Sequence, residues 1–137
     1  MFEANDEVMQ VIRQWAQKAE NDLKTAAHTL KLCERCPTDT VCFHAQQCVE
    51  KYLKALLVWH EIDFPKTHNL GTLLALLPAR IRLDLTPEEQ ERLTDYATVT
   101  RYPGDYDAIP LAEAQQAVAI ARRVRSQVRK RLPKEAL

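Results

Sequence analysis

The chain has 137 residues with 19 basic and 19 acidic side chains, so its formal net charge at pH 7 is zero. Its 46% hydrophobic and 28% charged residues are typical of a globular protein and exclude a disordered acidic tail or a membrane span. Only two glycines are present, Gly71 and Gly104, which excludes glycine-dense phosphate loops and disfavours an all-β chain. We therefore predict a single helical domain over residues 1–137.

Seven prolines divide the chain into segments whose apolar residues recur at helical spacing. The first segment, about residues 5–32, predicts an amphipathic helix with one broad apolar stripe. A loop containing cysteines follows, and either Thr38 or Thr40 is placed to cap a second helix that runs to about Glu61. Because apolar residues cover more than half of this helix, we expect it to lie at the centre of the fold. Its apolar positions are Ala45, Cys48, Val49, Tyr52, Leu53, Leu56 and Leu57.

Three further helices are predicted downstream. Thr67 is placed to cap a short helix over residues 68–77. Thr86, followed by a proline and two glutamates, begins a helix over residues 87–100. The last helix starts at a proline and keeps the helical step over residues 110–132. No strand-like alternation of useful length is present, so the predicted fold is an all-α, up-and-down bundle of four to five helices.

The balanced charge is unevenly distributed along the chain. Residues 1–120 carry a net charge of −6, and the basic C-terminal end, residues 121–137, carries +6. Such a segment attracts phosphate groups, although cations at the end of a helix also interact favourably with its dipole. The segment is therefore a phosphate contact, a surface that pairs with another subunit, or a solvated helix end. Its cations are Arg122, Arg123, Arg125, Arg129, Lys130, Arg131 and Lys134.

The sequence favours a cytoplasmic protein with reduced cysteines. It shows no signal-peptide pattern at its start and no apolar run near the ~20 residues of a membrane helix, so no membrane partner is expected. Cys33 and Cys36 form a C-x-x-C pair, and Cys42, His44 and Cys48 follow, a set that also suits zinc. Because Cys42 and Cys48 are six residues apart on a helix and diverge in direction, we predict no metal site and no cofactor.

Four polar residues form a stripe along the second predicted helix, at spacings of three, four and three: His44, Gln47, Lys51 and Lys54. Such a stripe faces either solvent or a polar cleft that binds a ligand or a partner. Glu50 lies four residues before Lys54, a spacing typical of an ordinary surface ion pair. Plain surface and ligand binding are therefore both open interpretations.

A second polar cluster occupies the turn before the last helix, Arg101-Tyr102-Pro103-Gly104-Asp105-Tyr106-Asp107. Arginine binds phosphate through two parallel hydrogen bonds, and tyrosine stacks on nucleic-acid bases. The alternative is that Arg101 pairs with Asp105 or Asp107 and only makes the turn rigid. His68, at the start of the third predicted helix, is interpreted as a structural cap.

These patterns together resemble the HEPN domain. The signature of its second helix is similar to the run Phe43-His44-Ala45-Gln46-Gln47-Cys48-Val49-Glu50-Lys51-Tyr52-Leu53-Lys54-Ala55-Leu56-Leu57, with Cys48 where alanine is common. Its first helix is similar to the set Trp15, Ala19, Asp22 and Leu23. Its third helix resembles Thr67-His68-Asn69-Leu70, and its final turn resembles Arg101-Tyr102-Pro103.

The resemblance implies a helical bundle that forms homodimers and is often encoded beside a minimal nucleotidyltransferase, as in toxin–antitoxin or defence systems. Many members are metal-independent ribonucleases that carry an arginine, four to six residues and then a histidine at a dimer cleft. Here the positions for that histidine after Arg101 hold Tyr106, Asp107 and Ala108, and none of the four histidines follows an arginine at this spacing.

Three functions are consistent with these residues. The first is a binding module for a nucleotide, RNA or the nucleotidyltransferase, using Arg101, Tyr102, Asp105, His44, Gln47, Lys51 and Lys54. The second is a ribonuclease with a non-standard site, in which Arg101 acts with Asp107, with Tyr106, or with His44 brought near by folding. The third is a purely structural dimerisation domain.

Overall fold

The structure, a computed structural model, describes residues 6–137. This part of the chain forms five α-helices and no strand, which confirms the predicted all-α bundle. Three short 3₁₀ turns lie between or after the helices, at Leu30–Arg35, Val99–Arg101 and Lys134–Ala136. The helices are α1 (Asp6–Thr29), α2 (Thr38–Trp59), α3 (Leu70–Leu76), α4 (Pro87–Ala97) and α5 (Leu111–Arg129). Within residues 6–137, none of them is long and apolar enough to cross a membrane.

Helix α2 lies at the centre of the fold, as its apolar composition predicts. It packs chiefly against α1, next against α5, and also against α4 and α3. Its large apolar side chains, including Tyr52, Leu53, Leu56 and Leu57, are fully buried in the hydrophobic core that the helices share. A helix that is apolar on most sides is stable in water only when neighbours cover it in this way.

The ends of the first two helices differ from the prediction. Helix α1 ends at Thr29 rather than near residue 32, and the chain continues as a 3₁₀ turn in which Cys33 has a positive φ of 53°. Residue 5, the predicted start, lies outside the described residues. The expected cap by Thr38 or Thr40 is wrong, because α2 begins after Pro37 without a side-chain cap. The Thr38 hydroxyl instead donates to the carbonyl oxygen of Ile109, 2.7 Å away, and holds the loop before α5.

The third helix begins two residues later than predicted. Its cap is Asn69, whose side-chain oxygen accepts from the backbone nitrogen of Thr72 at 3.0 Å. Thr67 does not cap the helix itself but holds the cap residue, because its hydroxyl accepts from the backbone nitrogen of Asn69. His68 is therefore not in the helix and does not cap it, and its ring is free to bond elsewhere.

The start of α4 is confirmed. The Thr86 hydroxyl accepts from the backbone nitrogen of Glu89 at 3.1 Å, and the Glu89 carboxylate accepts from the backbone nitrogen of Thr86 at 3.0 Å. This reciprocal pair satisfies two helix-end donors, with Pro87 in the first turn. The helix ends at Ala97, three residues before its predicted end, and a 3₁₀ turn carries the chain on to Arg101.

Three cations of the basic C-terminal end fold back onto acidic or polar groups of the same chain. Arg125 makes two hydrogen bonds of 2.8 Å to the carboxylate of Glu20 on α1. Arg123 makes a similar double contact with Glu89, and Arg129 donates to the hydroxyl of Tyr52 at 3.1 Å. Pairing of the acidic body with the basic end thus occurs within one chain, and these three side chains do not form a free tail.

Candidate functional site

Two buried carboxylates organise the polar stripe of α2. Asp22 comes from α1 and Glu50 from α2, and their exposed fractions are 8% and 3%. A buried carboxylate is costly unless it is paired and hydrogen-bonded, so both must find cations or donors nearby. Every fully buried side-chain nitrogen and oxygen within residues 6–137 has a hydrogen-bond partner, so hydrogen bonds compensate for the loss of water around these groups.

Asp22 holds two members of the stripe. One carboxylate oxygen lies 2.8 Å from Nδ1 of His44, and the other lies 2.6 Å from Nζ of Lys51. Because an ionised carboxylate only accepts hydrogen bonds, Nδ1 of His44 carries the proton in this pair. The other ring nitrogen, Nε2, has no partner among the described residues, and the side chain is 27% exposed. The arrangement presents an oriented imidazole to solvent.

Glu50 is the centre of a second, more deeply buried cluster. Its carboxylate accepts from Nε2 of Gln46 at 3.0 Å and from Nζ of Lys54 at 3.0 Å, and it lies 2.8 Å from Nδ1 of His68. Burial raises the pKa of Glu50, but the three hydrogen bonds and the charge of Lys54 together lower it below its ordinary value. Glu50 is therefore the ionised partner of this cluster at neutral pH.

Lys54 is not a surface residue. Its ammonium group lies 5.4 Å from the ring centre of Trp15 and 5.7 Å from that of Phe64, and the two rings meet edge to face. Aromatic faces attract a cation, so Glu50 and the two rings together stabilise the buried charge. The spacing prediction of a Glu50–Lys54 pair is confirmed, but the interpretation of that pair as plain surface is wrong.

Arg101 is held by an aromatic ring rather than by a carboxylate. Its guanidinium lies 4.3 Å from the ring centre of Phe43, at the N-terminal part of α2. Neither Asp105 nor Asp107 pairs with it, and it forms no ion pair with any residue in 6–137, so the alternative of a turn-stabilising salt bridge is wrong. Its hydrogen-bond donors remain available to an anion. Tyr102, next in the chain, is 64% exposed.

The remaining predicted residues separate into other environments. The hydroxyl of Tyr106 donates to Asp39 at 3.3 Å, and burial together with that carboxylate raises its pKa. Asp107 lines a cavity of about 390 Å³ between the loop and α4, which Arg101 does not line. Gln47 donates to the side chain of Gln46 at 2.7 Å. The turn cluster therefore does not act as one constellation: Arg101 faces Phe43, while Tyr106 and Asp107 lie elsewhere.

The cysteines occupy unlike environments. Cys33 is exposed and Cys36 half-buried near the end of the 3₁₀ turn, whereas Cys42 and Cys48 are buried on α2. Burial raises the pKa of Cys42 to about 12 and also raises that of Cys48, so both thiols stay protonated at neutral pH. Among residues 6–137, no three His, Cys, Asp or Glu side chains lie close enough together to hold a metal ion.

Comparison with known proteins decides the family. A model of the HEPN domain matches residues 12–131. The chain belongs to the HEPN family. The crystal structure of TT1696 from Thermus thermophilus is similar to this HEPN chain, with a TM-score of 0.72, 29% sequence identity, and coverage of 90% of this chain and 99% of that one. No match is found among curated proteins.

Membership of the HEPN family supports a nucleotide- or RNA-related role, or a partner-binding role. The structure adds residues that the functional interpretation of the sequence did not include: Asp22, Phe43, Gln46 and Trp15. One signal was available, because Asp22 is an isolated acidic residue on the apolar stripe of α1, where a charge needs a buried partner. No sequence signal indicated that Phe43 would stack on Arg101, because the two residues belong to distant segments.

The lowered pKa of Glu50 predicts a pH dependence of stability. The unfolded chain binds a proton to this carboxylate at higher pH than the folded chain does, so its contribution is present above about pH 4.5 and is lost as pH falls further. A Glu50→Gln/Lys54→Met variant should lose less melting temperature than the wild type between about pH 6 and about pH 3. The melting temperature of this double variant still falls as the pH is lowered, because the pKa values of Glu20 and Glu89 are also lowered in the folded protein.

Thermal unfolding followed by circular dichroism measures this effect. Glu91→Gln is the matched control, since Glu91 is exposed and forms no ion pair within residues 6–137. Identical acid slopes for the wild type and the double variant would contradict the role assigned to Glu50.

Proposed function

We propose that this HEPN protein binds RNA, or the phosphate of a nucleotide, through a surface formed by Arg101, Phe43, Tyr102 and His44. The observation that carries the proposal is the state of Arg101, which is fixed against an aromatic ring and has no carboxylate partner in the described chain. A guanidinium in this state keeps its two-pronged donor geometry for a phosphate. Arg123 and Arg125 lack this freedom, because carboxylates already accept from their guanidinium groups.

The neighbouring side chains suit a nucleic-acid ligand. Tyr102 is largely exposed and offers an aromatic face on which a base can stack. The ring of His44 lies 5.4 Å from that of Phe43, so the imidazole and the guanidinium both contact the same aromatic ring. Lys51 adds a cation, but Asp22 neutralises it. We therefore assign phosphate binding to Arg101 and base stacking to Tyr102. Lys51 and Lys54 pair with Asp22 and Glu50 and only position neighbouring groups.

Substitution of Arg101 tests the binding site. Arg101→Ala should weaken binding of a single-stranded oligoribonucleotide by roughly tenfold to a hundredfold, the effect of losing a charged hydrogen-bonded contact. Fluorescence anisotropy at fixed salt measures the dissociation constant. Arg82→Ala is the matched control, because Arg82 is also exposed and its side chain forms no ion pair within residues 6–137. Equal affinity for the two variants would remove Arg101 from the site.

A second candidate function, RNA cleavage, is favoured by the Asp22–His44 pair. A carboxylate that fixes Nδ1–H of an imidazole leaves Nε2 ready to accept a proton. In this candidate reaction Nε2 of His44 takes the proton of an RNA 2′-hydroxyl, and the 2′-oxygen attacks the adjacent phosphorus. The bond to the 5′-oxygen breaks, water protonates that oxygen, and a 2′,3′-cyclic phosphate forms. Arg101 would bind a non-bridging phosphate oxygen, so His44 takes the place of the histidine missing after Arg101.

Cleavage of a labelled oligoribonucleotide tests this candidate. His44→Ala should lower the rate by roughly 10²- to 10⁴-fold, the usual contribution of a general base, and Asp22→Asn should cause a smaller loss. His28→Ala serves as the control, because His28 is exposed on α1 and contacts neither pair. If the wild type produces no cyclic phosphate, or if His44→Ala cleaves as fast as the wild type, the binding function stands alone.

The proposal includes a homodimer whose interface lies beside Arg101. Val99 is a large apolar side chain that remains exposed in the single chain, two positions before this arginine. Light scattering after size-exclusion chromatography should give twice the mass of one chain, and Val99→Glu should shift it toward one chain. Val11→Glu is the control on α1, at similar exposure. A wild type that elutes as a single chain would contradict the dimer.

The expected protein partner is a minimal nucleotidyltransferase, in a cytoplasmic two-component system of the toxin–antitoxin type. The support is the family membership together with the resemblance of the α2 signature. Co-elution of the two purified proteins is the expected result. A nucleotidyltransferase that elutes separately, at concentrations where the homodimer is intact, would restrict the function to RNA or nucleotide binding.

A further inference from the structure

A groove between α1 and α5 is lined by cations that the proposed site does not use. Its first part is a cavity of about 340 Å³, with a floor of Leu23 and Ala27 and a rim of Glu20, Lys24, Arg122 and Arg125. A second cavity of about 310 Å³ shares Glu20 and Lys24 and adds Arg13 and Arg129. The two cavities therefore adjoin, and together they follow the line where α5 packs near α1.

The charge of this groove is strongly positive on a chain whose net charge is zero. Within residues 6–137, Glu20 is the one acidic side chain that lines it, and its two oxygens already accept from Arg125 and from the hydroxyl of Tyr52. Lys24 and Arg122 are exposed and form no ion pair within residues 6–137. Arg13 donates to a neutral carbonyl, that of Glu135, and forms no ion pair within residues 6–137.

The donors of the groove select the chemistry of its ligand. The rim offers ammonium and guanidinium groups, and its one acidic side chain among residues 6–137 is already hydrogen-bonded, so the ligand that suits the groove brings oxygen acceptors and negative charge. Glu20 holds Arg125 through two hydrogen bonds, while Lys24 and Arg122 line the same cavity and form no ion pair within residues 6–137. Guanidinium and ammonium groups around a partly apolar floor are a typical environment for phosphate oxygens.

We propose that the α1–α5 groove is a second phosphate-binding site, in which Lys24 and Arg122 contact phosphate oxygens of an RNA backbone or of a free nucleotide. Arg125, positioned by Glu20, lines the same cavity as these two cations. The RNA case rests on the proposed function, whereas the free-nucleotide case does not.

The salt dependence of RNA binding tests the RNA case. Each contact between a cation and a phosphate of single-stranded nucleic acid contributes about 0.7 to the slope of log K against log salt concentration. The double variant Lys24→Gln/Arg122→Gln should therefore lower the magnitude of this slope by about 1.4, as measured with a labelled uridine dodecamer over roughly 50 to 300 mM KCl. Lys66→Gln/Arg82→Gln is the matched control, with the same loss of charge outside α1 and α5.

Titration of the ¹⁵N-labelled protein with ATP tests the free-nucleotide case. We expect chemical-shift changes around Lys24 and Arg122 that are lost in the Lys24→Gln/Arg122→Gln variant. A reduced RNA slope without these changes assigns the groove to RNA, and the changes with an unaffected slope assign it to free nucleotides. An RNA slope equal to that of the wild type, or lowered equally by the control, together with no ATP response in the groove, overturns the proposal.

Failure of this proposal is distinguishable from failure of the proposed function. If the wild type binds no RNA, the function assigned to Arg101 fails, and the ATP titration still decides whether the groove binds phosphate. If Arg101→Ala abolishes RNA binding while the groove variant keeps the slope and the ATP response of the wild type, the first site stands and the groove does not bind phosphate. Circular dichroism of each variant confirms that the exposed substitutions leave the fold intact.

Discussion

The burial of two carboxylates, one on α1 and one on α2, is the constraint on which the arrangement of this molecule depends. Asp22 and Glu50 are both buried, and each would be strongly destabilising without partners. The partners come from α2 itself and from the segment before α3, which contributes His68. Pairing of Asp22 with His44 and Lys51 therefore ties α1 to α2, and pairing of His68 with Glu50 ties the segment before α3 to α2. The central helix is thus apolar toward the core, and each of the four residues of its polar stripe has at least one hydrogen-bond partner within the chain.

Carboxylate pairing also separates the cationic side chains that stabilise the fold from those that remain available to a ligand. Lys51, Lys54, Arg123 and Arg125 all have carboxylate partners, so their charges are largely cancelled within the chain. Arg101 is positioned by the ring of Phe43, which orients a guanidinium without accepting its hydrogen bonds. Orientation by an aromatic face keeps both the charge and the donors of Arg101 free. The contact with Phe43 distinguishes Arg101 from arginines that pair with carboxylates, such as Arg123, and from exposed arginines without an ion pair, such as Arg82 and Arg122.

Sequence reasoning succeeded where the information is local. The capping box at Thr86 and the apolar periodicity of the helices depend on residues a few positions apart, and both are confirmed. The predicted cap of α2 is wrong because the helix already includes Thr38 and Thr40, and the position before it holds Pro37, whose side chain makes no cap. The Thr38 hydroxyl instead donates to the carbonyl of Ile109, in a loop 71 residues away. His68 was misplaced for a similar reason, since its ring pairs with Glu50 rather than with the helix that follows.

Only part of the candidate site is predictable from the sequence, because only part of it depends on the spacing of nearby residues. Helical spacing put His44 and Lys51 on one stripe, but spacing alone cannot say which face of α2 is covered. That depends on Asp22, which lies on a different helix and reaches both side chains. The consecutive positions of the turn residues favour one polar cluster, whereas the 3₁₀ turn and the loop after it direct Arg101 and Asp107 to different surroundings.

The position of α5 also has a consequence for how the protein is made. Helix α5 covers one side of α2, and its Arg125 contacts Glu20, 105 residues earlier in the chain. A ribosome that has synthesised α1 to α4 therefore carries a chain whose central helix is still uncovered on that side. Such a nascent chain exposes apolar surface of the kind that chaperones bind, and the bundle closes only when residues 111–129 emerge.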